Sequence, residues 1–98
     1  MKKFAFLLMG RHYDPAKDYA HFETTRGISA IHTVTSLEEA AEVAANLYRE
    51  GYGAIELCGA FGEAGARRII EATEGKVAVG YVTHLPEQDS LFDAFFGG

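Results

Sequence analysis

The sequence predicts a small α/β domain: a flavodoxin-like, three-layer arrangement of four mostly parallel strands in the order 2-1-3-4, with helices on both faces. Three observations carry this. Short apolar runs alternate with stretches of helical periodicity, the pattern of a parallel sheet with crossover helices. Turn glycines separate most of these segments, at Gly10, Gly27, Gly51, Gly59 and Gly75. At 98 residues the chain is the size of one domain, so residues 1–98 are read as a single unit. Crossovers between parallel strands are right-handed. In the order 2-1-3-4 the first connection therefore covers one face and the next two cover the other.

The first strand is Phe4–Met9 (FAFLLM), a continuous apolar run between Lys2-Lys3 and Gly10, as expected of a strand buried on both sides. Residues 11–26 are polar and mixed. Asp14-Pro15 is a helix-start signal, which predicts a short helix or ordered loop over 15–22, with Tyr19 and Phe22 toward the core. Ile28–Thr35, rich in β-branched residues, is the second strand. Its direction stays open: an antiparallel second strand, with 11–26 as a long hairpin connection, is the alternative.

Ser36-Leu37-Glu38-Glu39 is a capping box, in which Ser36 accepts from the Glu39 N–H and Glu39 reaches back to Ser36. Leu37, Ala40, Ala41, Ala44, Leu47 and Tyr48 follow at helical spacing, and Gly51 stops the helix. Ala54–Cys58 is the third strand. Gly59-Ala60-Phe61-Gly62 turns into a second helix with Ala66, Ile69 and Ile70 as its buried stripe, ended by Gly75. Lys76–Thr83 is the fourth strand. Pro86 opens a last helix whose apolar side is Leu91, Phe92, Phe95 and Phe96. This helix is expected to return to the face covered by the 11–26 segment.

Charge and cysteine content exclude several classes. Nine Lys+Arg against 14 Asp+Glu give a net charge of −5, with the basic residues scattered. That disfavours a nucleic-acid partner held by phosphate contacts. One cysteine excludes an intramolecular disulfide and an all-cysteine zinc site. No apolar run approaches the ~20 residues of a membrane span, and residues 4–9 are too few for a signal-peptide core. The expected setting is cytoplasmic.

The winding order locates a candidate site. In open α/β sheets, ligands bind beyond the carboxyl ends of the strands where the winding reverses. Here the reversal lies between strands 1 and 3. Arg11, His12, Cys58 and His84 are expected to converge there. The loop Gly59–Gly62, with Gly65, has the spacing G-x-x-G-x-x-G. Backbone N–H groups at such a turn and the helix N-terminus behind it suit a small anionic ligand. Glu63 opposes a phosphate, and a tight structural turn explains the same glycines. Arg11, His12, Gly59, Ala60, Phe61 and Gly62 are the candidate ligand-binding residues.

His84, Glu56 and Cys58 are the candidate catalytic groups. A cysteine before a helix N-terminus is placed for a lowered thiol pKa, and a nearby histidine can serve as its base; a small buried hydrophobe is the plainer reading. Glu56 alternates with Ala54 and Cys58 and is expected to point into a covered layer, where a carboxylate needs a partner. Ala78 and Gly80 leave room beside it, and His32, mid-strand, is a further polar oddity. His12, His84, Cys58 and Glu56 are acceptable zinc ligands in type but lack ligand spacing, so no metal site is assigned.

Two stretches, AIELCGAFGEAGA over 54–66 and VAVGYVTHLPEQD over 77–89, together with FAFLLMG over 4–10, resemble a family of small prokaryotic α/β proteins classed as a domain of unknown function. The resemblance covers nearly the whole chain and implies a single α/β domain. It carries no catalytic residues over. GAIEL with its glycine turn also resembles one strand–loop–helix unit of a phosphate-binding barrel, but 98 residues are too few for a whole barrel.

Two functions follow from the residues: a small-molecule- or anion-binding domain, with acid/base or thiol chemistry in an enzymatic version, or a non-catalytic oligomeric assembly or regulatory module. No cofactor is specified. The three phenylalanines within five residues at Phe92–Phe96 compete with Phe4, Phe6, Tyr19 and Phe22 for a small core. Part of that stripe is therefore expected to build a homodimer.

Overall fold

The computed structural model describes residues 1–97. It is a mixed five-stranded sheet with two helices packed on one face and a third standing off. The strands are β1 (Lys2–Met9), β2 (Ala20–Glu23), β3 (Gly27–Val34), β4 (Ala54–Leu57) and β5 (Ala78–Tyr81). The helices are α1 (Leu37–Arg49), α2 (Gly62–Ala72) and α3 (Asp89–Phe96). The sheet order is β2-β3-β1-β4-β5. β1 pairs in parallel with β3 and β4, and β4 with β5; β2 pairs antiparallel with β3. The four strands expected from the sequence are β1, β3, β4 and β5. The order of the whole sheet differs from that expectation through the added edge strand β2, and the parallel pairing of β3 settles its direction.

Of the short helix or ordered loop expected over 15–22, residues 15–19 are an ordered turn and β2 takes the rest. The Asp14-Pro15 signal yields a single turn: the amides of Lys17 and Asp18 donate to the Asp14 carbonyl at 3.0 and 2.8 Å, and the chain then extends. A tight hairpin joins β2 to β3, with Thr24 and Gly27 exchanging backbone hydrogen bonds of 2.8 and 3.3 Å. Gly27 is obligatory there. Its φ is +153°, and a Cβ would fall 1.7 Å from the Lys2 carbonyl oxygen. No side chain fits between β3 and β1 at that point.

α1 is capped by Ser36, whose Oγ accepts from the Glu39 N–H at 3.1 Å. The other half of the expected box is displaced by one residue. The Glu39 carboxylate accepts from the amide and hydroxyl of Thr35 at 2.6 and 3.1 Å, not from Ser36. α2 lacks a side-chain cap. Its residue Ile70, expected in the buried stripe, is largely exposed, whereas Ala66 and Ile69 are buried.

The register separates the two faces of the sheet. Ala5, Leu7, Ala30, Val34, Ile55 and Leu57 lie on one face. They are buried there in one cluster with Ala40, Ala41, Ala44 and Leu47 of α1 and Ala66 and Ile69 of α2. The opposite face presents Phe4, Phe6 and Leu8 of β1, Ser29 and Ile31 of β3, Glu56 of β4, Gly80 of β5 and Phe22 of β2. Among the described residues no helix packs on that face. The arrangement is two-layered: of the helices expected on both faces, only one layer, α1 and α2, is present. α3 does not return to the sheet. Every residue from Tyr81 to Gly97 is exposed, and the molecule is elongated, 40 Å by 27 and 25 Å.

Handedness explains why one face is bare. The β3–α1–β4 and β4–α2–β5 crossovers run in the same direction across the sheet, so α1 and α2 share a face. The β1–β3 connection runs the other way and crosses the opposite face. What crosses there is a loop, held where the Thr33 hydroxyl donates to the Asp18 carbonyl at 2.7 Å. The rest of that connection joins the sheet edge as β2.

Candidate functional site

The residues expected at the carboxyl edge of the sheet are placed there by their strands, and none of them lines the two concavities described below. Arg11 and His12 are exposed on the turn after β1. The His12 ring tilts against Tyr13, with centroids 4.1 Å apart. Cys58 is half-buried after β4. Its Sγ accepts from the Met9 amide at 3.4 Å, a contact that joins the ends of β4 and β1. Gly59 and Ala60 are exposed, and Gly59 approaches the Val82 carbonyl, so the loop after β4 does lie beside the end of β5.

Phe61 and Gly62 lead into α2. Phe61 is buried in the core and is not free to contact a ligand, because its side chain fills the space that Gly65 leaves open. A Cβ on Gly65 would lie 3.0 Å from the Phe61 Cβ. The third glycine of G-x-x-G-x-x-G therefore serves packing. Gly62, at φ +63°, supplies the left-handed step into the helix.

His84 is engaged by its own neighbours. Its Nε2 lies 2.7 Å from Asp89 Oδ1. Its ring stacks on Phe92 with centroids 4.0 Å apart and planes 8° from parallel. These contacts join the loop after β5 to the first turn of α3. The turn between them is a 3-10 turn over Pro86–Gln88, closed by the Gln88 N–H donating to the Leu85 carbonyl at 2.9 Å. His84 thus acts as an elbow.

Glu56 is exposed, which corrects its expected burial: the layer that was to cover it is missing. The room foreseen beside it exists. A Cβ on Gly80 would meet the Glu56 carboxylate oxygens at 3.0 and 3.1 Å, so the carboxylate lies across the glycine on the open face. His32 does not share that space. It pairs with Leu7 on the helix-covered face, whereas Glu56 pairs with Phe6 on the other. Burial there pushes the His32 pKa below 6.5, helped by His21 and opposed by Glu50. Among the described residues no cluster of three or more His, Cys, Asp or Glu is arranged to hold a metal.

Two shallow concavities form away from the strand ends. One lies between α1 and α2, over Glu38, Ala41, Glu42, Ala45, Arg68 and Ala72. The other, of about 180 Å³, is lined by Leu91, Phe92, Phe95 and Phe96. The residues that sequence reasoning passed over are those of the bare face: Phe4, Phe6, Leu8 and Ile31. The signal for Phe4, Phe6 and Leu8 is the unbroken apolar run of β1, which by itself fits burial within one chain equally well; Ile31 lies beside Phe6 on β3.

Residues 2–97 match the model of one protein family, described as "Family of unknown function (DUF6506)". The chain belongs to this family. The match spans the sheet and all three helices, so the bare face and α3 are both inside the family domain. No curated protein and no solved structure matches the chain. No helix among the described residues is long and apolar enough to cross a membrane.

Proposed function

We propose that the chain is a non-catalytic assembly module that associates with copies of itself through the sheet face its own helices leave open. The observation that carries this reading is the bare face itself. Phe4, Phe6, Leu8 and Ile31, each half-buried, form a contiguous apolar surface on adjacent central strands, with the exposed Phe22 beside it. A contiguous apolar patch of this kind marks an interaction surface. Two of the three candidate catalytic groups support the same reading: His84 is stacked and hydrogen-bonded and Cys58 closes a strand contact, while Glu56 lies exposed on the bare face. Phe61, a candidate ligand-binding residue, is core.

Sedimentation velocity of the full chain at micromolar concentration tests the proposal. The expected species is a dimer or higher oligomer of the 10.7 kDa chain. Phe6→Ser with Ile31→Ser is expected to return it to monomer, with the α1- and α2-covered core and the far-ultraviolet spectrum intact. A wild-type chain that sediments as a monomer throughout overturns the reading.

A further inference from the structure

We infer that the occupant of the bare sheet face is α3 of a second copy, exchanged reciprocally, so that each copy gives one helix and receives one. The inference rests on the assembly reading and names its partner surface.

Three observations carry it. First, the apolar side of α3 is more exposed than the half-buried face itself. Phe95 is 82% exposed, Phe96 75%, Leu91 63% and Phe92 40%, although they make up one side of a short helix. Second, the dimensions match. An eight-residue helix is ~12 Å long. The apolar stripe from Phe4 to Leu8 on β1 runs ~13 Å along the strand. Third, the elbow holds α3 off its own sheet. The His84–Asp89 hydrogen bond and the His84–Phe92 stack fix the helix to the loop that precedes it. Beyond His84, its packing within the chain is chiefly against the adjoining 3-10 turn.

The area is sufficient. At ~150–250 Å² for each fully buried aromatic ring, the exposed side of α3 offers roughly 400–600 Å². The sheet beneath, where Phe4, Phe6, Leu8 and Ile31 are half-buried and Phe22 is exposed, offers less, roughly 200–400 Å², and a twofold exchange doubles the sum to about 1,200–2,000 Å². Stable interfaces bury about 1,200–2,000 Å². Twofold symmetry closes the assembly with both helices seated and neither face left open.

Site-directed disulfides test this against the alternatives. In a Cys58→Ser background, one preparation carries Ala94→Cys on α3 and the other carries Ser29→Cys, beside Phe4 on the bare face. The two are mixed in equal amounts and oxidised. The expected product is a disulfide-linked heterodimer in high yield. A chain lacking residues 89–98 is expected to keep its fold, since no residue of α3 is buried. Its self-association is expected to weaken by ~100-fold or more, as the loss of several aromatic anchors implies. If the wild type associates but no mixed disulfide forms, the exchange is overturned and the assembly reading stands. If the wild type is monomeric, both fail. If a single chain carrying both cysteines closes internally as a monomer, α3 belongs to its own sheet and the exchange is overturned.

Discussion

The two faces of the sheet are built from similar residues and meet different fates. Ala5, Leu7, Ile55 and Leu57 on one face are fully buried; Phe4, Phe6, Leu8 and Ile31 on the other are only partly covered. Residue hydrophobicity does not separate them. What separates them is which crossovers are helical. Both helical crossovers run in one direction and share a face, while the single connection across the other face is a loop and an edge strand. A strand that reads as buried on both sides is thus half-satisfied by its own chain. The remaining half is available to a partner.

Paired substitutions across one strand layer break or sharpen this contrast most directly. Ile55→Ala on the covered face is expected to lower unfolding free energy by about 2–5 kcal/mol, a large part of the ~5–15 kcal/mol typical of a domain. Ile31→Ala on the bare face is expected to cost the isolated domain a fraction of that and to act mainly on self-association. Urea unfolding at low protein concentration, beside sedimentation at high concentration, reads the two effects separately. Equal losses of domain stability would show that the bare face is covered within one chain.

Glu56 probes the bare face from the opposite direction. It is the acidic group at the centre of that face, across Gly80, and covering it with a phenylalanine-lined helix desolvates a charge. Glu56→Gln is expected to tighten self-association about tenfold, which is ~1.4 kcal/mol. Weakened association would instead reveal a hydrogen-bond donor reaching Glu56 from the partner.

The capping position of α1 supplies a change confined to the covered side. Ser36→Ala removes the acceptor of the Glu39 N–H and is expected to cost about 1 kcal/mol of domain stability, seen as a lower thermal midpoint. The association constant is expected to stay the same. A change in both would mean that the helix layer contributes to the interface.

Much of this fold was legible because its signals are local. The Ser36 cap, the α1 stripe, the glycine stops and the apolar runs of β1, β3 and β4 each depend on residues a few positions apart. β2 was not legible. Its four residues are all exposed, the alternation Ala20-His21-Phe22-Glu23 is too short to stand out from the polar segment around it, and its pairing is set by the Thr24–Gly27 hairpin and by β3. The site was legible only in outline. The strand ends place Arg11, His12, Cys58 and His84 along one edge, but no periodicity reports that His84 would stack on Phe92 or that Phe61 would fill the gap above Gly65. The fate of Glu56 depended on a layer, and layers are decided by crossover geometry far from the residue itself.

The smallest expected effect is a pH dependence that belongs to the covered face alone. His32 lies there beside Leu7, and burial holds its pKa below the usual 6.5; His21 lowers it further and Glu50 opposes the shift. The folded state therefore binds fewer protons than the unfolded state once the pH falls below about 6.5. Stability is unaffected by this group above that value. It declines as the pH drops from there through the folded-state pKa, and levels off below it. Carboxylate titration adds its own acid-side loss, so the informative quantity is a difference in slope. Thermal midpoints of the wild type and His32→Leu, taken from about pH 7.5 down to about pH 5, are expected to diverge, the wild type falling more. The slope, unlike the absolute midpoint, is insensitive to the packing change that leucine introduces. Parallel slopes would mean that the imidazole reaches water in the folded chain and that the helix layer over β3 is looser at His32 than at Ala30 and Val34 on either side of it.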